Sequence, residues 1–229
     1  MEADESHNRT VDAWDGGLTW IAHTGETMQR ASQALMGAEG LWLIDPVDMP
    51  GLDDILAELG PVVGVAVMLD RHTRDAASIA NRHAVPIAVP ETLQSAVADV
   101  AVPVVPIETV TDQTGFECLS VIDMPGWHEY ALYDGETLVV AEALGTAAYF
   151  RGAGEQLGVH PMLRLRPPRK AFREVFPERI LVGHGPGLRR DGTAALHDAL
   201  AGARRRAPQV YLRGLGKLPK VLFEYVRHR

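Results

Sequence analysis

The apolar run from Pro61 to Leu69 ends abruptly in Asp70-Arg71-His72-Thr73-Arg74-Asp75. An uninterrupted apolar stretch bounded by polar residues reads as a buried strand, of the kind found in sheets covered by helices. Titratable side chains clustered at the end of such a strand are where α/β proteins tend to keep their chemistry. This one junction therefore constrains both the architecture and the position of a site.

The surrounding pattern agrees. Leu18–Ala22 and Leu41–Ile44 read as strands, the second ending at Asp45-Pro46. A helix follows from Asp53 to Leu59, with Leu52, Ile55, Leu56 and Leu59 on one face. Asp75 to Arg82 reads as a helix, Val85 to Val89 as a strand, and Glu91 to Ala98 as a helix. The pattern then changes to successive strands at 104–109, 116–122, 129–133 and 137–141, with the hairpin signal Asp134-Gly135 between the last two. A short helix over 169–176, a strand at 180–182 and a helix from 191 to about 205 complete it. These elements predict one α/β domain with mixed sheets covered by helices. A doubly wound nucleotide-binding domain is the rival, but no G-x-G-x-x-G or G-x-x-x-x-G-K-[ST] follows the early strands.

Composition excludes several classes. A formal charge of −8 argues against general nucleic-acid binding. The single Cys118 rules out an internal disulfide and a Cys-rich zinc site. Cys118 also has no paired base in sequence, so a core role is expected for it. No run approaches the roughly 18 apolar residues of a membrane span, and Met1–Thr10 is polar and acidic, so a cytoplasmic protein is expected. Residues 1–12 are expected to fray, 13–205 to form the domain, and 206–229 to form a basic helical extension. From Arg204 on, eight basic residues face one acid, with Leu218, Val221, Leu222 and Tyr225 at helical spacing. This tail is expected to pack on its own domain; apolar residues near the termini would also suit a homodimer.

Five short segments carry chemistry in order: Ile44-Asp45, Asp70-x-His72-x-Arg74-Asp75, Pro125-Gly126-Trp127-His128, Val140-Ala141-Glu142, and Gly183-His184-Gly185. In order, spacing and strand context the set resembles the motifs of the metallo-β-lactamase fold superfamily. The resemblance covers about Leu41 to Arg190 and implies a four-layer αβ/βα sandwich with mixed sheets. It implies a first metal site of Asp70, His72 and His128, and a second of Arg74, Asp75 and His184, with Glu142 where the family has a bridging Asp. Two imidazoles and a carboxylate are an acceptable zinc set with an open position for water. Arginine cannot ligate, so at most one metal, zinc or iron, is expected, on Asp70, His72, His128 and His184.

The expected activity is hydrolysis of a small ester, thioester or phosphoester. Glu142 or Asp75 would take a proton from water, and Arg74 would bind an anion. The alternative is a non-catalytic, metal-free relative whose pocket is kept by ion pairs, with Arg74 bound to Glu142 or Asp75. Each ligand candidate also has an ordinary reading. Asp75 can cap the following helix, Asp70 can pair with Arg71, and Gly183-His184-Gly185 can be a tight turn. Asp45 is expected to be a structural hydrogen-bond acceptor, and Trp127 a wall of the pocket. His23, His83, His160, His197 and His228 match no motif and are expected on the surface or in packing.

Overall fold

The computed structural model describes residues 9–215. Seven strands form one sheet: β1 (Thr10–Trp14), β2 (Gly17–Ile21), β3 (Ala31–Met36), β4 (Leu41–Ile44), β5 (Val62–Ala66), β6 (Ile87–Val89) and β7 (Val104–Pro106), adjacent in that order. The pairings from β1 to β4 are antiparallel and those from β4 to β7 parallel. The parallel half has the helical crossovers that such pairing requires: α1 (Leu52–Ala57) and α2 (Ala76–His83). After α3 (Glu108–Thr114), strands β8 (Glu117–Met124), β9 (Trp127–Tyr133) and β10 (Thr137–Val140) build the second sheet. Two short strands, β11 (Leu144–Gly145) and β12 (Gly158–Val159), pair with each other. Strand β13 (Arg179–Val182) then joins the second sheet beside β10, in the order β13-β10-β9-β8, and α4 (Gly192–Leu215) closes the described chain.

Period-two alternation decides which face each strand presents. Leu41 and Leu43 of β4, with Val65 of β5 and Val67 beyond it, pack against Leu52 and Leu56 of α1 and Ile79 and Ala80 of α2. Trp42, Ile44, Ala66 and Met68 point the other way and meet Ala131, Leu138, Val140 and Val182 of the second sheet. Leu196, Ala199, Leu200 and Ala203 of α4 belong to the same inner cluster. The result is helix, sheet, sheet, helix: the expected mixed-sheet αβ/βα sandwich.

Several local expectations change. β1 begins at Thr10, inside the stretch expected to fray, and α4 runs unbroken across residue 206. β3 was not legible because Ser32 and Gln33 are polar, yet both are buried. Their groups are satisfied: Ser32 Oγ donates to Asp45 O, and Gln33 Nε2 donates to Val182 O across the two sheets. The expected strand at 104–109 stops at Pro106 and turns into α3. Residues 169–176 form turns rather than a helix; Pro167 and Pro168 precede them and Pro177 follows. The expected helix from Lys217 lies outside the described residues.

Candidate metal centre

The second half of β4, the turn after β5, and the segments after β10, β12 and β13 all end at one edge of the sandwich. There the two sheets are tied directly, by Ala31 N to Gly183 O at 2.8 Å and Tyr130 N to Met68 O at 2.9 Å. Asp45 leaves β4 in the left-handed region, φ 46°. Its Oδ1 accepts from Met68 N at 2.8 Å, and its Oδ2 lies 2.9 Å from His72 Nδ1. Asp45 is thus the hydrogen-bond acceptor that orients His72. Burial pushes its carboxyl up to about 7 against the pull of Arg74.

His184 follows β13 and directs Nδ1 at the carbonyl of Met28, 3.1 Å away. A carbonyl only accepts, so Nδ1 carries the hydrogen and Nε2 carries a lone pair. With Asp45 ionised, His72 is in the same tautomer. The two Nε2 atoms stand 3.3 Å apart, each presenting a lone pair to the other. Burial, first among the causes, holds both imidazoles well below their ordinary pKa, so they are neutral at physiological pH. Glu142 completes the group: the ligand atoms of His72, Glu142 and His184 lie within 4.8 Å of one another, and all three residues are buried.

Glu142 is held on every side. Its Oε2 accepts from Arg71 Nε at 2.8 Å, and its Oε1 lies 3.4 Å from His160 Nε2. His160 Nδ1 accepts from Met162 N at 3.3 Å, so the hydrogen of its neutral ring sits on Nε2 and points at Glu142. The backbone around Glu142 is set by a second buried acid. Glu129 Oε1 accepts from Glu142 N and Ala143 N at 2.7 and 2.6 Å, and its Oε2 accepts from Trp127 Nε1 at 2.8 Å. Burial raises the Glu129 carboxyl to about 7. The Arg71 guanidinium lies 4.1 Å above the Trp127 ring, which packs edge-on against His160. Phe150 stacks on His184 from the other side, at 5.3 Å.

Arg74 occupies the rest of the chamber. Its Nη1 donates to Ala31 O at 2.6 Å and Asp45 O at 2.8 Å; its Nη2 donates to Gly183 O at 3.0 Å and faces His72 Nε2 at 3.4 Å. Its own backbone is left-handed, φ 40°. Burial lowers its pKa to about 10, which leaves it cationic at neutral pH.

His72, His184, Glu142 and Arg74 thus meet in one place. The other three candidates do not. Asp70 accepts from Arg71 and from the backbone N–H of His128. His128 points out of β9 to pair with exposed Asp123 at 2.9 Å. β9 begins at Trp127, so alternation turns Trp127 and Glu129 inward and His128 outward. Asp75 precedes α2 without capping it through its side chain, and its Oδ2 accepts from Asp48 N instead. His160, expected in packing or on the surface, lies in the chamber. Its sequence neighbourhood carried no motif, and Glu129, although it directly follows Pro125-Gly126-Trp127-His128, would have been marked as inward only by a strand start at residue 127. Cys118 is half-buried on β8, and burial pushes its thiol up to about 12.

The donor set suits one cation. Two neutral imidazoles with fixed tautomers and one carboxylate converge, and each imidazole has the hydrogen-bonded Nδ1 typical of a metal-ligating histidine. The Arg74 guanidinium beside it is a cation and cannot ligate.

No protein-family model and no curated protein matches the chain. Solved structures do match. The metallo-β-lactamase DIM-1 exposed to ceftazidime aligns at 10% identity over 88% of this chain and 97% of that one, with a TM-score of 0.60. FIM-1 from Pseudomonas aeruginosa, in its mono-zinc form, aligns at 9% identity over 87% and 96%, TM-score 0.54. TTHA1623 in a di-iron-bound form aligns at 23% identity over 73% and 93%, TM-score 0.50. The chain has the metallo-β-lactamase fold.

Proposed function

We propose that this chain is a divergent hydrolase that holds one metal ion, zinc or iron, on His72, His184 and Glu142 and acts on a small ester, thioester or phosphoester. The observation that carries this reading is the 3.3 Å approach of two Nε2 atoms whose Nδ1 positions are both engaged. With Asp45 ionised, two lone pairs aim at each other beside a carboxylate, an arrangement that a cation held between them satisfies. The mono-zinc form of FIM-1 and the di-iron form of TTHA1623 give the same fold with these metals.

A bound ion of this kind would lower the pKa of a water ligand and polarise a substrate oxygen. The protein does the rest. Asp45 and Met28 fix the two imidazoles, and Arg71 and His160 fix the two oxygens of Glu142. Oε1 of Glu142, held by only one long contact, is the oxygen placed to receive a proton. Arg74 keeps one buried donor, Nε, without an acceptor among the described residues; that N–H is available to a developing anion. The cavity beside the cluster, lined by Ala31, Gln33, Asp45 and Met68, is only about 10 Å³, room for about one water.

A second reading has its own observation. The 3.4 Å approach of Arg74 Nη2 to His72 Nε2 offers a resident cation in place of a metal, as in a non-catalytic relative. Metal analysis of the purified chain, before and after incubation with zinc or iron(II), separates the two. About one equivalent, lost in His72→Ala and His184→Ala, supports the first reading. No retained metal, and no thermal stabilisation on adding it, supports the second. Turnover of p-nitrophenyl acetate or bis(p-nitrophenyl) phosphate by the loaded protein tests the hydrolytic step.

A further inference from the structure

Against the Pro186–Leu188 part of the turn after β13 lies a second cleft of about 460 Å³, a volume typical of small-ligand sites. Among the described residues its lining includes no Asp or Glu and one cation, Arg151. That guanidinium has no carboxylate partner among the described residues, and its Nε is buried without an acceptor. The nearest acid in sequence, Glu155, is engaged elsewhere by Arg164, Arg206 and the N–H of Gly152. Two further donors face the same space. Thr146 Oγ1 accepts from Gly187 N, which leaves its hydroxyl hydrogen free to donate, and the Gln156 amide is exposed. Ile21, Pro186 and Leu188 supply an apolar wall.

An unpaired guanidinium with neighbouring hydroxyl and amide donors, backed by apolar surface, matches one ligand chemistry. We propose that this cleft binds a small organic anion, its carboxylate or phosphate paired with Arg151 and its apolar body against Ile21, Pro186 and Leu188. Arginine presents the planar fork that such groups accept in two parallel hydrogen bonds. The site holds whether or not His72 and His184 carry a metal.

Calorimetric titration of the full chain in the presence of a chelator, with phenyl phosphate, benzoate and the neutral benzyl alcohol, tests it. At least one anion is expected to bind saturably and at least tenfold more tightly than the alcohol; which anion binds identifies the acid group. Arg151→Met and Gln156→Glu should each weaken that binding at least tenfold. If Arg151→Met does not fold, as judged by circular dichroism, Gln156→Glu carries the test, since it sets a carboxylate against Arg151 from an exposed position. Absence of saturable binding by both anions, or binding indifferent to these substitutions, overturns the proposal.

Discussion

Replacing Arg74 is the most informative single perturbation. Its fork binds three buried carbonyls, of Ala31, Asp45 and Gly183, at 2.6, 2.8 and 3.0 Å, and so ties β3, the end of β4 and the turn after β13. In Arg74→Ala each carbonyl loses this donor, but Asp45 O keeps Ser32 Oγ and Gly183 O keeps Ala31 N, so the penalty of about 1–3 kcal/mol for a dry acceptor falls mainly on Ala31 O, with the buried acid Asp45 losing its nearby cation as well. Two effects oppose the loss: removing a buried cation relieves its desolvation, and water can enter the vacated space. A net cost of about 3 kcal/mol follows, the low end of what breaking a buried charge network costs. The backbone supplies an internal control. Residue 74 sits at φ 40°, where a Cβ costs roughly 1 kcal/mol relative to glycine. Arg74→Gly should therefore be about 1 kcal/mol more stable than Arg74→Ala, the reverse of the usual order.

Urea unfolding in chelator, followed by circular dichroism, reads both differences. The same two variants should bind zinc at least tenfold more tightly than the parent, because a cation close to the ligand atoms repels a divalent ion by several kcal/mol even at an effective dielectric near 20. A loss below about 1 kcal/mol for Arg74→Ala, together with unchanged zinc affinity, would refute the view of Arg74 as a resident cation that ties the two sheets.

Three further outcomes are expected. His128→Ala should leave metal content unchanged and shift stability by no more than about 1 kcal/mol, the value of an exposed pair; loss of the metal would return His128 to the ligand set. Glu129→Gln should cost about 2 kcal/mol by chemical denaturation, since an amide cannot accept from two backbone N–H groups and an indole without turning a donor on a donor, and zinc affinity should fall as the backbone at Glu142 loosens. Asp48 is held below its ordinary pKa mainly by its hydrogen bond to Arg82. A lowered folded value means stability present above the unfolded carboxylate pKa and lost as pH falls through the folded one. Asp48→Asn should therefore cost a few tenths of a kcal/mol at pH 7, discounted for exposure, and nothing once the acid is protonated; matched urea curves at pH 7 and pH 3 check the sign.

The parts of this architecture that were legible in the sequence are those where one physical signal acts alone. The apolar run after Pro61 could only be a buried strand, and the titratable segment behind it could only lie at that strand's end. β3 was hidden because its polar side chains are satisfied across the sheet interface, by partners as distant in sequence as Gln33 and Val182. The nearness of His72, Glu142 and His184 to one another was legible, because each follows a recognisable strand end. It was not for His160, which arrives from the isolated β11–β12 pair. His128 was misplaced by two residues of strand boundary: with β9 starting at Glu129 it would sit in the turn, free to face inward, whereas starting at Trp127 it must face out.

That shift exchanges an imidazole for an indole, and the consequence is chemical. Trp127 cannot ligate, but it donates to Glu129 and carries Arg71 on its face, so the position where a third imidazole was expected instead supports the guanidinium that closes over Glu142. On the opposite side, Arg74 stands among the residues that the resemblance assigned to a second metal, and it cannot withdraw without breaking three hydrogen bonds to backbone carbonyls. Both substitutions act in the same direction. They replace ligands by groups that fix the remaining ones, and they confine any ion to the single point where the two Nε2 lone pairs meet. Titration of the chelator-treated chain with zinc is therefore expected to saturate at no more than one equivalent; a second equivalent bound with comparable affinity would refute this account of Arg74.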